Sequence, residues 1–65
     1  MIEYKNRNKY GYTVLAVEID TDRKTATLYH GQTAPLHPMK KATKKQIRGI
    51  FAAYASNPEY TVKEI

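Results

Sequence analysis

The segment YGYTVLAVEIDTDRKTATLYHG, from Tyr10 to Gly31, has the pattern of one β-hairpin. β-Branched and aromatic residues fill both arms, and a polar run between the arms marks the turn. A turn over residues 21–24 gives three cross-strand pairs on one face: Ile19 with Ala26, Val17 with Leu28, and Leu15 with His30. That face is mostly apolar and the opposite face mostly polar, because alternate residues of a strand share a face. A shift by one residue would mix the two faces, so the sequence specifies the register.

A further strand is predicted at the start of the chain, where apolar and charged residues alternate in IEYK at residues 2–5. The polar residues 6–9 are expected to form a turn that places Tyr4 opposite Gly11. Both hairpins then direct their apolar side chains to the same side of the sheet. We therefore predict a three-stranded antiparallel β-meander over about 1–6, 10–20 and 25–31.

The second half of the chain predicts a connector and one helix. Pro35 and Pro38 favour extended backbone within residues 32–39, where Leu36 and Met39 are expected to tuck under the sheet edge. A helix is predicted over about 44–56, because the spacing of Thr43 and Gln46 is typical of a capping box. Its apolar stripe, which should pack on the sheet, consists of Ile47, Ile50, Phe51 and Tyr54.

The last residues are ambiguous. Alternation favours a short fourth strand over 59–64, although Ser56–Glu59 could equally begin a second helical turn. The whole chain, residues 1–65, is too short for more than one domain. The predicted fold class is α+β, with the meander packed on one C-terminal helix.

Positive charge is concentrated in one part of the chain. The net charge is +5, and the excess comes from a short run: Lys40, Lys41, Lys44, Lys45 and Arg48. The remaining charges balance, and no acidic residue occurs between Arg23 and Pro58. The chain has no cysteine and so forms no disulfide, and because its stability does not need an oxidising compartment the cytoplasm is favoured. No apolar run has the length of a signal peptide or a membrane span, so no membrane partner is expected.

This basic run lies where the helix begins, although the positive end of a helix dipole normally favours acidic residues. Free backbone N–H groups, the dipole and the lysine ammoniums would together attract a phosphate. The alternative is a solvated lysine-rich turn whose only effect is solubility.

A second candidate surface is the outer face of the predicted sheet. Its aromatic and basic side chains are Tyr10, Tyr12, Tyr29, Lys5, Arg7 and Lys9. Such a surface could stack bases and neutralise phosphates, or it could bind a protein. A third interpretation is that the rings only stabilise the sheet through cross-strand pairs.

No motif indicates an enzyme, a cofactor or a metal site. His30 and His37 lack metal-ligand spacing, and Asp20 and Asp22 fit a turn better than a cation loop. The chain has no phosphate-binding loop and no dinucleotide fingerprint. We therefore expect a binding protein without catalytic residues.

The leading hypothesis is a small module that binds DNA or RNA through the basic run and the tyrosine-lysine face. The alternative is an adaptor or inhibitor of the kind found in phages and mobile elements, which would dock on a host or phage protein through its sheet face or an edge strand. A homo-oligomer is a third hypothesis, because thin cores and unpaired edges favour self-association.

Overall fold

The computed structural model describes every residue from Met1 to Ile65. It contains one five-stranded sheet and one α-helix. In chain order the elements are β1 (Ile2–Arg7), β2 (Thr13–Asp20), β3 (Thr25–His30), a 3-10 turn (Gly31–Thr33), β4 (Lys40–Lys41), α1 (Lys44–Ala55) and β5 (Thr61–Glu64). The strands lie in the order β4-β1-β2-β3-β5. β1, β2 and β3 are antiparallel, whereas β4 and β5 run parallel to β1 and β3, so the sheet is mixed.

The β2–β3 hairpin has the predicted register. Ile19 pairs with Ala26, Val17 with Leu28, and Leu15 with His30. The Asp20 carboxylate accepts backbone hydrogen bonds from Asp22 and Arg23, and Lys24 adopts a left-handed conformation at φ 57°. The turn thus forms without glycine because a carboxylate binds its N–H groups.

The β1–β2 register differs from the prediction. Tyr4 pairs with Val17 and not with Gly11, and the turn lies at residues 8–12 and not at 6–9. The Asn8 side chain accepts hydrogen bonds from two turn amides, and Gly11 has the left-handed φ of 85° that glycine permits. The longer pairing lets Ile2 and Tyr4 pack against the core. Because the shift is even, the predicted side of the sheet is still correct.

The helix agrees closely with the prediction. Thr43 and Gln46 form the capping box, and the predicted apolar stripe faces the sheet. Ile47 is fully buried among the core residues of the sheet: Leu15, Val17, Ile19, Ala26 and Leu28. Gly49 lies outside this stripe and costs about 1 kcal/mol of helix stability relative to alanine.

The meander alone is an incomplete description, because two parallel edge strands extend it. β5 lies within the predicted range 59–64 and pairs with β3. β4 was not predicted, since two consecutive lysines carry no strand pattern. The Ala42 N–H donates to the Lys5 carbonyl at 3.0 Å and extends this short parallel pairing. The prediction for Leu36 was wrong: its side chain is 99 % exposed and does not tuck under the sheet.

Candidate nucleic-acid interface

Seven cationic side chains lie at the end of β1, in the turn that follows it, in the edge strand β4 and in the first two turns of α1. All are exposed, and none lies within salt-bridge distance of a carboxylate. We call this surface the basic edge; it comprises Arg7, Lys9, Lys40, Lys41, Lys44, Lys45 and Arg48. Lys24, which pairs with Glu59 at 3.9 Å, is the one lysine or arginine of the chain with such a partner.

Strand pairing brings the two basic segments of the sequence together. β4 lies parallel to β1 with Lys41 opposite Lys5, and the Asn6 side-chain amide donates to the Ala42 carbonyl at 2.9 Å. These contacts hold the start of α1 beside the end of β1. Arg7, Lys9 and Lys41 consequently line one surface groove of about 360 Å³.

The helix start adds to the positive potential of the basic edge. The first turn of α1 contains Lys44 and Lys45 and no acidic residue. The capping box satisfies two backbone N–H groups, but the helix dipole remains uncompensated by a carboxylate. Lysines at this end weaken the helix slightly and strengthen its attraction for anions.

Two tyrosines lie in the turn that contributes Asn8, Lys9 and Gly11 to the groove. Tyr10 and Tyr12 are 73 % and 72 % exposed. The Asn8 carboxamide oxygen accepts hydrogen bonds from both of their backbone N–H groups, at 2.9 and 3.1 Å. The Lys9 ammonium lies 5.2 Å from the Tyr10 ring centroid. The turn therefore presents accessible aromatic surface beside unpaired positive charge.

The other two predicted site residues lie elsewhere. Lys5 is only 4 % exposed, and its ammonium donates to the His37 carbonyl at 2.9 Å. Tyr29 is partly buried, and its hydroxyl donates to Glu18 at 3.2 Å. Burial, followed by the nearby Glu18 charge, raises the Tyr29 pKa above 10.0. The structure thus divides the predicted residues among the basic edge, the β1–β2 turn and the outer face of the sheet. Tyr10 and Tyr12 lie in the turn and not on the outer face where they were predicted.

The connector lies against this outer face through a cluster that sequence reasoning missed. His37 hydrogen-bonds Glu3 and lies 3.8 Å from a Glu18 oxygen. The hydrogen bond from His37 lowers the Glu3 pKa below 4.5. Glu3 and Glu18 are direct cross-strand partners, which is unfavourable for like charges unless a cation lies between them. The correct β1–β2 register would have revealed this pair and the need for a counter-ion.

Glu3, Glu18 and His37 could also each offer one ligand atom to a metal ion, since these atoms lie within 4.8 Å of one another. Their mutual hydrogen bond and ion pairs already account for their positions. The second histidine, His30, is bound to Glu64 of β5 at 2.7 Å, which fits a structural residue at the sheet end.

Comparison of the chain with protein-family models, with curated proteins and with solved structures gave no match. Its single α-helix has neither the length nor the apolar character needed to cross a membrane.

Proposed function

We propose that this chain binds DNA or RNA through the basic edge. One observation carries the proposal: seven exposed cations, none with a carboxylate partner, occur at the end of β1, in the turn after it, in β4 and in the first two turns of α1. Of the other four lysines and arginines, Lys24 has a carboxylate partner and Lys5 is buried, whereas Arg23 and Lys63 are exposed and unpaired. A cluster of unpaired positive charges raises the local concentration of a polyanion.

The basic edge would bind mainly through phosphates. Lysine and arginine side chains contact phosphate oxygens without reading sequence, so the affinity should depend strongly on salt and weakly on base order. Tyr10 and Tyr12 could stack on exposed bases, which favours single-stranded over double-stranded ligands. The groove lined by Arg7, Lys9 and Lys41 would hold phosphates beside the turn that carries these rings.

The central experiment is a fluorescence-anisotropy titration of labelled single-stranded and duplex oligonucleotides over a series of salt concentrations. Five to seven phosphate contacts predict a log–log slope of about −4 to −6 on duplex DNA. Replacing Tyr10 and Tyr12 with leucine should weaken binding of the single strand more than binding of the duplex.

Lys44→Glu/Lys45→Glu tests the position of the charge. We expect binding to weaken by about 10- to 100-fold, which is roughly 1.4–2.8 kcal/mol. The matched control is Arg23→Glu/Lys63→Glu, which lowers the net charge equally at sites outside the basic edge. The helix variant should be folded and slightly more stable, because glutamates at N1 and N2 favour the helix dipole by about 0.3–1 kcal/mol each.

Two outcomes would remove the proposal. Affinity that does not change with salt would exclude phosphate neutralisation. Equal losses in the helix variant and its control would show that total charge, and not the basic edge, controls binding.

The alternative, an adaptor or inhibitor that docks on a protein, has one supporting feature at the opposite side of the sheet. β5 is an edge strand of four exposed residues with no neighbour beyond it, so a partner strand could pair there. A partner recovered with the purified chain after nuclease treatment, and lost when Val62 is replaced by proline, would favour this alternative. Proline at Val62 removes a backbone donor from the edge strand.

A further inference from the structure

The core side of the sheet has an apolar groove that α1 leaves open. The helix packs mainly on β2 and β3, and the surface of β1 beside it is only partly covered. The resulting groove has a volume of about 650 Å³. Its apolar lining comes from β1, from one face of α1 and from Ala42 in the connection between β4 and α1: Ile2, Tyr4, Ala42, Ile50, Ala53 and Tyr54. We call it the β1–α1 groove.

Gly49 lines the same groove, and nothing inside the chain requires a glycine there. Its φ is not left-handed, and a Cβ atom at this position would meet no atom within 4 Å. Glycine nevertheless weakens a helix interior more than any residue except proline. Because glycine has no side chain, a ligand in this part of the groove could approach the helix backbone closely.

The charged side chains at the groove are cationic. Lys41 is the one charged residue of its lining, and Lys45, outside the lining, lies one helical turn before Gly49 on the same helix face. No acidic residue lines the groove. An apolar wall beside positive charges is complementary to an apolar stripe flanked by carboxylates.

We propose that the β1–α1 groove binds an amphipathic helix of a partner protein whose apolar stripe is flanked by Asp or Glu. A strand is a poorer occupant, because β4 already takes the hydrogen-bonding edge of β1 at Tyr4 and Lys5. A second copy of this chain is also a poorer occupant. Its only α-helix carries three cations and no acidic residue, so two copies would bring like charges together.

The groove proposal is separate from the proposed nucleic-acid function, although it shares Lys41 and Lys45 with the basic edge. The partner helix would contact the apolar wall beside Gly49, which lies outside the basic edge. A substitution at Gly49 can therefore test the groove while the salt-series titration tests the basic edge.

The probe is a designed helical peptide of about 15 residues, near the minimum length for a stable helix. It carries a leucine stripe flanked by glutamates, and a second peptide has lysines in place of the glutamates. Binding to the full chain is followed by amide chemical shifts in ¹⁵N-labelled protein. The glutamate peptide should shift the amides of Ile2, Tyr4 and Ile50, and the lysine peptide should bind about tenfold more weakly.

Gly49→Leu fills the groove without breaking the helix, because leucine is a better helix former than glycine. We expect it to lower the affinity for the glutamate peptide by about tenfold and to leave the affinity for oligonucleotides unchanged. Ala52→Leu is the matched control, since Ala52 is exposed and does not line the groove. It should leave the peptide affinity unchanged.

Three outcomes would overturn this proposal. The first is the absence of shifts at the groove with the glutamate peptide at millimolar concentration. The second is equal affinity for the two peptides, or equal losses in the two leucine variants. The third is a concentration-dependent shift of the groove amides without peptide, which would identify a second copy of the chain as the occupant.

Discussion

Lys5 and Lys41 are paired across β1 and β4, yet Lys5 is 4 % exposed and Lys41 lies open to solvent. Around Lys5, on the outer face of the sheet, each charged or phenolic group has a partner: its own ammonium binds His37, His37 binds Glu3, and Tyr29 binds Glu18. Around Lys41, on the basic edge, no cation has a carboxylate partner.

This difference separates charges that hold the fold from charges that remain free for a ligand. A charge removed from water must have partners, because an unpartnered buried charge costs several kcal/mol. An exposed cation needs no partner and contributes little to stability. Substitutions on the outer face should therefore change the free energy of unfolding, and those on the basic edge should change binding.

The sharpest test of this comparison uses the two paired lysines. Lys5→Glu removes the donor to the His37 carbonyl and adds a third carboxylate beside Glu3 and Glu18. We expect it to lower the free energy of unfolding by about 3 kcal/mol. A chain of this length has a total stability of only about 3–10 kcal/mol, so the variant could unfold in part.

Lys41→Glu is the matched change at the exposed partner position. It should alter stability by less than about 0.5 kcal/mol and weaken nucleic-acid binding. Urea unfolding followed by circular dichroism measures both variants. Equal stability losses would show that the two regions do not differ as the structure indicates.

A smaller effect is expected for Tyr29→Phe, which removes the hydroxyl bound to Glu18 and leaves the ring in place. The loss of this hydrogen bond should cost about 1 kcal/mol at neutral pH. Because burial and Glu18 raise the Tyr29 pKa above 10.0, the unfolded chain ionises first as the pH rises. The fold therefore loses stability as the pH rises from 10.0 through the folded pKa.

The measurement is urea unfolding across the alkaline range, compared between wild type and Tyr29→Phe. The variant should show a shallower loss of stability above pH 10.0. Tyr12→Phe is the control, since the Tyr12 side chain is 72 % exposed and makes no hydrogen bond through its hydroxyl. If the free energy of unfolding falls above pH 10.0 as steeply in both variants as in wild type, ionisation of Tyr29 does not cause the loss of stability.

Local patterns predicted the helix and the β2–β3 hairpin because their signals lie within a few residues. The capping box and the apolar stripe specify α1, and the polar turn with alternating arms specifies the pairing of Val17 with Leu28. The β1–β2 pairing was wrong because several even shifts keep Tyr4 on the same face. Only the packing of Tyr4 beside the core selects Val17 as its partner.

The basic run was visible in the sequence, but its neighbours were not. Arg7 and Lys9 join Lys41 only through β4, whose two lysines give no strand signal. The burial of Lys5 was equally hidden, because alternation places it on a polar face and does not reveal the connector that covers it. Long-range contacts of this kind depend on parallel pairing and loop placement, which short sequence windows do not encode.

The smallest predicted effect concerns the contacts of His37 with Glu3 and Glu18, which hold the connector on the outer face. The Glu3 pKa is lowered mainly by the hydrogen bond from His37, so the folded chain holds this proton less tightly than the unfolded chain. The resulting stability is fully present above pH 4.5 and is lost as the pH falls through the folded pKa. Glu3→Gln should therefore reduce the free energy of unfolding at neutral pH by less than about 1 kcal/mol. It should also make the free energy of unfolding fall less steeply as the pH is lowered into the acid range.

Urea unfolding of wild type, Glu3→Gln and the control Glu59→Gln, from neutral pH into the acid range, tests this expectation. Glu59 is the better comparison because it is exposed and lies 3.9 Å from Lys24, where solvent screens the pair. In the acid range, the free energy of unfolding should depend less steeply on pH for Glu3→Gln than for wild type, and about as steeply as wild type for Glu59→Gln. The same flattening in both variants would mean that carboxylates on the outer face contribute no more than surface carboxylates do. The contrast between the outer face and the basic edge would then rest on Lys5 and Tyr29 alone.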